Sequence, residues 1–152
     1  MKKQKSIGNK GFSLVELIIV IAIMAILIGV MAPQLLKYVE RSRQSKDVQA
    51  VDTIHTAIVT AMLDPAVTDA PTSETYNSLD DLYKDTTNCK DFVAAVKEIA
   101  NETDASKIEG DAFTSNAYKG SKIVINIDKN KVKCTVTKGS KAAADDKDIV
   151  ID

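Results

Sequence analysis

The fold is decided by residues 10–36, KGFSLVELIIVIAIMAILIGVMAPQLL. They contain a single acidic residue followed by a long apolar segment. Sixteen uncharged residues, Leu17 to Ala32, come directly after Glu16. With the apolar residues on either side, the segment reaches the ~20 residues that a helix needs to cross a bilayer. A carboxylate inside such a segment costs roughly 2.5–3.5 kcal/mol on insertion scales. We therefore expect Glu16 to have a specific partner.

The charge of the 152-residue chain is unevenly distributed. Residues 1–11 contain four lysines and no acid, whereas the remainder carries 16 basic and 21 acidic residues. Positive charge beside a membrane segment stays on the cytoplasmic side, which predicts that the acidic remainder is exported. This acidic balance also argues against nucleic-acid binding. An ordinary secretory signal is the alternative, but its cleavage after Ala32 would put Pro33 first, where proline is poorly suited to a protease cleft.

The residues KGFSLVE, at positions 10–16, resemble the class III leader junction of type IV pilins and pseudopilins. The resemblance implies that a prepilin peptidase cuts between Gly11 and Phe12 and that Phe12 is then N-methylated. Ser13 departs mildly from the family's usual threonine. The eleven-residue leader and Phe12 point to the type IVa branch. The likeness runs from Lys10 to about Ala57, and residues 34–58 are similar to major pilins of Gram-positive clostridia.

Cleavage at Gly11 would supply a partner for Glu16. The new amine of Phe12 lies four residues away, and a carboxylate in an apolar environment costs less when it gains a cation and hydrogen bonds. In the family, the matching glutamate is thought to meet the amine of a neighbouring subunit. The resemblance therefore implies that Glu16 sets the register of assembly. The alternative is an interfacial carboxylate that reaches water.

An amphipathic segment follows the apolar one. Apolar residues recur at spacings of mostly three and four from Leu35 to Met62, while charged residues, including Lys46 and Asp47, are expected on the other surface. Asp64-Pro65 ends the pattern, because the residue before proline avoids the α region. The predicted organisation is a leader peptide (1–11), a transmembrane or fibre-core helix (12–34), an amphipathic helix (35–64) and a globular head (65–152).

Gly29 and Pro33 are the predicted break in the long helix. Proline in a helix interior costs about 3 kcal/mol, and glycine adds roughly 1 kcal/mol relative to alanine. We expect the helix to stay continuous in the membrane, where freed carbonyl groups have few partners, and to loosen in the filament. The resemblance implies the same, since the family has a melted stretch before the matching proline. A kink that keeps every other helical bond is the alternative.

The rest of the sequence predicts a small α+β head. Residues 64–78 indicate a loop, Ser78 and Asp81 form an N-cap pair for a short helix through Tyr83, and Asn88 is expected to cap a second helix. Alternation at 123–127 and 132–136 around a turn at 128–130 predicts a hairpin. Further strands are predicted at 149–151 and 110–120. The predicted fold is α+β, with a long N-terminal helix packed on a small antiparallel sheet.

Few residues indicate chemistry. His55 is the single histidine and has no second ligand at metal spacing, and Asp145, Asp146 and Asp148 lack the ligand spacing of a calcium loop, so no metal is predicted. We see no phosphate loop, Ser/His/Asp set or paired-carboxylate motif, so we predict neither enzyme activity nor a cofactor. Cys89 and Cys134 are a candidate disulfide in an exported chain, with two free buried thiols as the alternative.

The predicted function is that of a structural major subunit of a type IV pilus. Before assembly the chain would be a single-pass cytoplasmic membrane protein that meets the lipid bilayer, prepilin peptidase and methylase, and the inner-membrane assembly machinery. After assembly it would be part of an extracellular homo-oligomeric filament, for adhesion, twitching motility or DNA uptake. The alternative is a pseudopilin of a type II secretion or DNA-uptake system, because the junction is shared. A membrane-tethered binding module is an alternative of a different class.

Overall fold

The computed structural model of the chain describes residues 12–129, 131–137 and 150–151. The chain divides into two compact units, the first ending at Val39 and the second beginning at Glu40. Several sequence predictions fall outside the described residues. They are the leader with Gly11, the turn residue Asn130, the acidic residues at 145–148, and Ile149 of the last strand.

Helix α1 extends from Leu14 to Leu63 and contributes to both units. It continues through Gly29 and Pro33, and the predicted loosening of this stretch in a filament stays a prediction. The helix ends directly before Asp64-Pro65, as predicted from the proline. The Asp64 side chain then accepts a hydrogen bond from the backbone N–H of Ala66 at 2.8 Å, which starts the following turn.

The second unit is an α+β head. Its sheet is antiparallel and has the strand order β1-β2-β3-β4. The β2–β3 hairpin runs in continuous register from the pair Asp128 and Lys131 to the pair Lys122 and Thr137, which confirms the predicted hairpin. The elements after α1 are β1 (Ser73–Tyr76), α2 (Leu79–Lys84), α3 (Lys90–Ala100), a 3₁₀ turn (Ala105–Lys107), β2 (Lys122–Asp128), β3 (Lys131–Thr137) and β4 (Val150–Ile151).

One hydrophobic core joins the second half of α1 to the sheet and the short helices. Alternate residues of β2 and β3 point inward because side chains alternate between the two faces of a strand. The core therefore confirms the predicted fold class, an α-helix on an antiparallel sheet. Its main members are Val51, Ile54 and Ile58 of α1, Leu79 and Leu82 of α2, Phe92 and Val96 of α3, Ile123, Ile125 and Ile127 of β2, and Val132, Cys134 and Val136 of β3.

Two strand predictions were wrong. Residues 73–76 were predicted as loop but form β1, in which only Tyr76 is buried, so the sequence lacks the alternation that marks a strand and pairing with β2 decides the conformation. Residues 110–120 were predicted as a strand but form a closed loop. Gly110 and Gly120 adopt left-handed conformations (φ +70° and +77°), which interrupt an extended strand. The Gly110 N–H instead donates to Ser121 O at 2.7 Å, and the Gly120 N–H donates to Gly110 O at 2.8 Å.

One of the two helix caps was predicted correctly. Ser78 caps α2 through a 3.1 Å hydrogen bond from the backbone N–H of Asp81, as predicted. Asn88, however, does not cap α3, which begins at Lys90. The carboxylate of Asp69 takes that role and accepts hydrogen bonds of 2.8 Å from the backbone N–H groups of Asp91 and Phe92. This cap comes from a loop about 20 residues earlier, so the local sequence around Asn88 does not reveal it.

Candidate functional site

The N-terminal end of α1 is the first part of the candidate site. The carbonyl group of Ser13 accepts the first helical hydrogen bond, from Leu17 N at 3.2 Å. The backbone N–H of Ser13 donates to the carboxylate of Glu16 at 2.9 Å. This is one half of a capping box, in which a Glu at the third helical position binds the N–H of the capping Ser or Thr. Glu16 thus binds the end of its own helix.

The hydrogen bond from Ser13 gives Glu16 a role within its own helix, in addition to the assembly role predicted from the sequence. A negative charge in the first turn is also favoured by the partial positive charge of the helix N-terminus. The sequence analysis missed the cap, although its signal, Ser13 followed three residues later by Glu16, was visible. The contact uses Oε2 only, so the carboxylate can accept a second donor at its other oxygen.

The apolar surface of α1 is the second part of the site. Every large apolar side chain from Phe12 to Leu36 is at least 50 % exposed, and Phe12 is 90 % exposed. Among the described residues, α1 is the one helix that length and composition allow to cross a membrane, with a mean hydropathy of 3.0 over its most apolar window. A surface of this size normally marks a contact with lipid or with other protein.

Two acidic residues of α1 hold the closed loop of the head. Asp47 was predicted on the charged outer surface of α1, but this was wrong, because it is 4 % exposed. Its carboxylate accepts hydrogen bonds from Thr114 N (2.9 Å), Thr114 Oγ1 (3.1 Å) and Ser115 N (2.9 Å). Glu40, about two turns earlier, accepts from Asn116 N at 2.7 Å. Asp47 lies four residues before Val51, so helical spacing already placed it beside the apolar stripe.

A second buried carboxylate holds the other end of this loop. Glu109 is 6 % exposed. It accepts hydrogen bonds from Leu79 N at 3.1 Å and Ile123 N at 2.9 Å, and a longer one from Asp80 N at 3.4 Å. The Glu109 side chain therefore ties the start of α2 to the start of β2. The sequence analysis did not single it out, because its partners are 14 to 30 residues away.

His55 contacts the backbone of the sheet. Its Nε2 lies 3.1 Å from the carbonyl oxygen of Val132. A carbonyl oxygen only accepts hydrogen bonds, so Nε2 must carry the proton and donate. The His55 ring therefore donates a hydrogen bond to a backbone carbonyl group of β3. No group of three His, Cys, Asp or Glu side chains among the described residues is placed to hold a metal ion.

The two cysteines are separate buried thiols in the structure. Cys134 lies on β3 opposite Ile125 and is fully buried, and burial raises its pKa to about 12. Cys89 precedes α3, where its Sγ lies 3.9 Å from the hydroxyl of Tyr76. Burial, with the nearby Asp85 charge, raises the pKa of Cys89 as well. Since the thiolate is the reactive form, both thiols are expected to react slowly. Cys89 and Cys134 are thus free buried thiols in the structure, which is one of the two alternatives given by the sequence. The disulfide, the other alternative, stays a prediction.

Comparison with known proteins identifies the class to which the N-terminal site belongs. Residues 8–32 match the family profile described as the prokaryotic N-terminal methylation motif. The chain is also 44 % identical over 56 residues, 37 % of its length, to a type IV major fimbrial protein FimA of Dichelobacter nodosus. A second FimA of that organism is 43 % identical over 56 residues. The similarity spans about a third of these relatives, 36 % and 35 % of their lengths. No solved structure matches the chain.

The chain is thus a protein with an N-terminal methylation motif, an apolar α1 and an α+β head. The motif and the partial similarity to major fimbrial proteins support a type IV pilin or pseudopilin. The matched relatives are fimbrial proteins, which agrees with the prediction of a protein without enzyme activity. The clostridial origin suggested by residues 34–58 stays a prediction.

Proposed function

We propose that this chain is the major structural subunit of a type IV pilus. The observation that carries the proposal is the apolar surface of the N-terminal segment, which begins at Phe12 inside the matched motif and is at least half exposed as far as Leu36. Lipid covers this surface before assembly, and the helices of neighbouring subunits cover it in the filament. The similarity to two major fimbrial proteins favours the major-subunit role.

Processing at the leader junction prepares the subunit for assembly. Prepilin peptidase cuts between Gly11 and Phe12 on the cytoplasmic side, and the new amine of Phe12 is methylated. Gly11 is the sensitive position, since a side chain there would obstruct the close backbone approach that the peptidase needs. The exposed Phe12 side chain and the non-helical backbone of Phe12 and Ser13 leave this end of the helix accessible.

Glu16 serves two contacts in the proposed assembly. In the isolated subunit it accepts the N–H of Ser13 through Oε2. In the filament its other oxygen accepts the Phe12 amine of a neighbouring subunit, which compensates the cost of a carboxylate in an apolar environment. A helix that lacked this partner would carry an uncompensated charge into the filament core. Glu16 thereby favours one axial position of each subunit over the others.

The helix between Gly29 and Pro33 loosens when the subunit leaves the membrane. In the isolated chain the helix is continuous there. Neighbouring helices and water can satisfy the freed backbone groups in a packed fibre, which lipid cannot do. Four residues that change from helix to extended chain would lengthen from about 1.5 to about 3.3 Å per residue. A filament map with unbroken helical density from Leu17 to Val39 would contradict this step.

The experiment is electron microscopy of surface filaments from cells with and without the gene, combined with mass spectrometry of sheared material. The proposal expects filaments only when the gene is present and this chain as their most abundant protein. Filaments of normal number and composition without the gene would refute it. A matched control strain carries Gly11→Val, which should accumulate unprocessed chain in the membrane and lack filaments.

The alternative within the family is a pseudopilin of a type II secretion or DNA-uptake system, because the matched motif at residues 8–32 does not separate the two. A gene deletion that abolishes protein secretion or DNA uptake while leaving surface filaments intact would favour this alternative. A membrane-tethered binding module, the other alternative, requires an intact N-terminus. A mature chain that retains Met1 would support it.

A further inference from the structure

The outer face of α3 is the first of two surfaces of the head that complement each other. Asp91, Ala94, Ala95 and Glu98 have the spacing of one helix face, and Phe92, Val93 and Val96 on the opposite face are buried. The face thus has two alanines, which permit close approach, between two exposed carboxylates about 10.5 Å apart along the helix.

The second surface is a groove between α1 and β3. It has a volume of about 640 Å³ and is lined by His55 and Val59 of α1, by Asn126 and Asp128 of β2, and by Lys131, Val132 and Lys133 of β3. The two lysines outnumber the one acid, Asp128, which lies opposite Lys131. Val59 is half-buried and supplies apolar contact, Val132 is buried at the base of the groove, and the two lysines are exposed on the outer side of the strand. We call it the α1–β3 groove. An amphipathic helix face in such a groove is a common mode of protein recognition.

The two surfaces lie on different flanks of the head and cannot meet within one copy. Helix α3 packs against α2, and α2 packs against β1 and β2. In the strand order β1-β2-β3-β4, the groove is on the other side of β2, at β3. The charges divide in the same way. Residues 64–111 contain 12 acidic residues and four lysines, whereas residues 112–133 contain five lysines and one aspartate.

We infer that the α1–β3 groove binds the outer face of α3 from the next copy of this chain. The carboxylates of Asp91 and Glu98 then meet Lys131 and Lys133, and the two alanines approach Val59. The contact joins two different surfaces. Each copy can therefore bind one neighbour through its α1–β3 groove and another through the outer face of its α3. Head-to-tail contacts of this kind extend into open helical assemblies when the rotation does not close. The inference rests on the proposed filament function and names the contact made by its heads.

Charge reversal in full-length protein in cells tests the contact. Lys131→Glu or Glu98→Lys alone should lower the yield of sheared filaments about fivefold, because like charges then face each other across the contact. The two changes together should restore the yield. The matched controls are Glu74→Lys on β1 and Lys122→Glu at the start of β2. Both residues are exposed and lie outside the two surfaces, so both variants should leave the filament yield unchanged.

Carbodiimide cross-linking of wild-type filaments gives a second result that needs no variant. It should yield covalent multimers in which a peptide with Asp91 or Glu98 is joined to one with Lys131 or Lys133. The inference would be overturned if the single charge reversals gave the same filament yield as the controls, or if no cross-link joined α3 to β3. Either result would leave the proposed function standing. Wild-type filaments without this chain would overturn both. If Lys131→Glu leaves filaments intact but reduces their binding of duplex DNA, the groove is a nucleic-acid surface and the inference is wrong.

Discussion

Replacement of Asp47 by alanine is expected to destabilise the head strongly. The side chain accepts three hydrogen bonds from Thr114 and Ser115 while almost fully buried. Bonds to a charged acceptor contribute about 1.5–3 kcal/mol each. Thr114 is exposed, so its two donors can bind water in the variant, but Ser115 is fully buried and its N–H would lose its partner. The expected loss is therefore roughly 3 kcal/mol, well below the sum of three full bonds.

The assay is urea or thermal unfolding of the full-length chain in detergent, followed by near-ultraviolet circular dichroism of the head tyrosines. A loss of this size should lower the melting temperature by roughly 10 °C for a head of this size. Asp52→Ala is the matched control, because Asp52 lies on the same helix and is exposed, and it should stay within about 0.5 kcal/mol of wild type. Equal stabilities of the two variants would refute the account of Asp47.

Three further predictions concern Glu16 and the cysteines. Glu16→Ala should leave processing intact but deplete filaments, as measured by immunoblots of membrane and sheared fractions; a normal filament yield would refute the register role. Iodoacetamide should label neither cysteine in the unreduced folded chain, and both Cys89 and Cys134 in denaturant without reductant; a disulfide would block the second labelling. The folded-state pKa of Cys134, about 12, lies above the ordinary 9.0. The buried neutral thiol therefore makes its full contribution to the free energy of unfolding below about pH 9, and this contribution is lost between about pH 9 and 12. Cys134→Ala should reduce this alkaline loss in melting temperature, and an unchanged pH profile would count against the burial effect.

The parts of the fold that depend on local patterns could be predicted from sequence. The apolar run and the stripe after it predict α1, and Asp64-Pro65 predicts its end, because these signals act within a few residues. The alternation around residues 128–130 predicts the hairpin for the same reason. The Ser13–Glu16 cap belongs to this group too, since its signal is four residues long.

The parts that depend on distant partners could not be predicted. Asp69 caps a helix that begins 21 residues later, and Asp47 binds a loop more than 60 residues away. In both cases the sequence shows only an acidic residue, and a carboxylate in a loop or on a helix surface is usually solvated. Strand β1 has three exposed residues out of four, so its pairing with β2, and not its own pattern, makes it a strand.

The intact mass of the subunit from purified surface filaments tests the central claim most directly. The account predicts one dominant species whose sequence begins at Phe12 and carries a single added methyl group. The same preparation should lack chains that retain residues 1–11. Filaments built mainly from another protein, or from this chain with its leader still attached, would contradict the account.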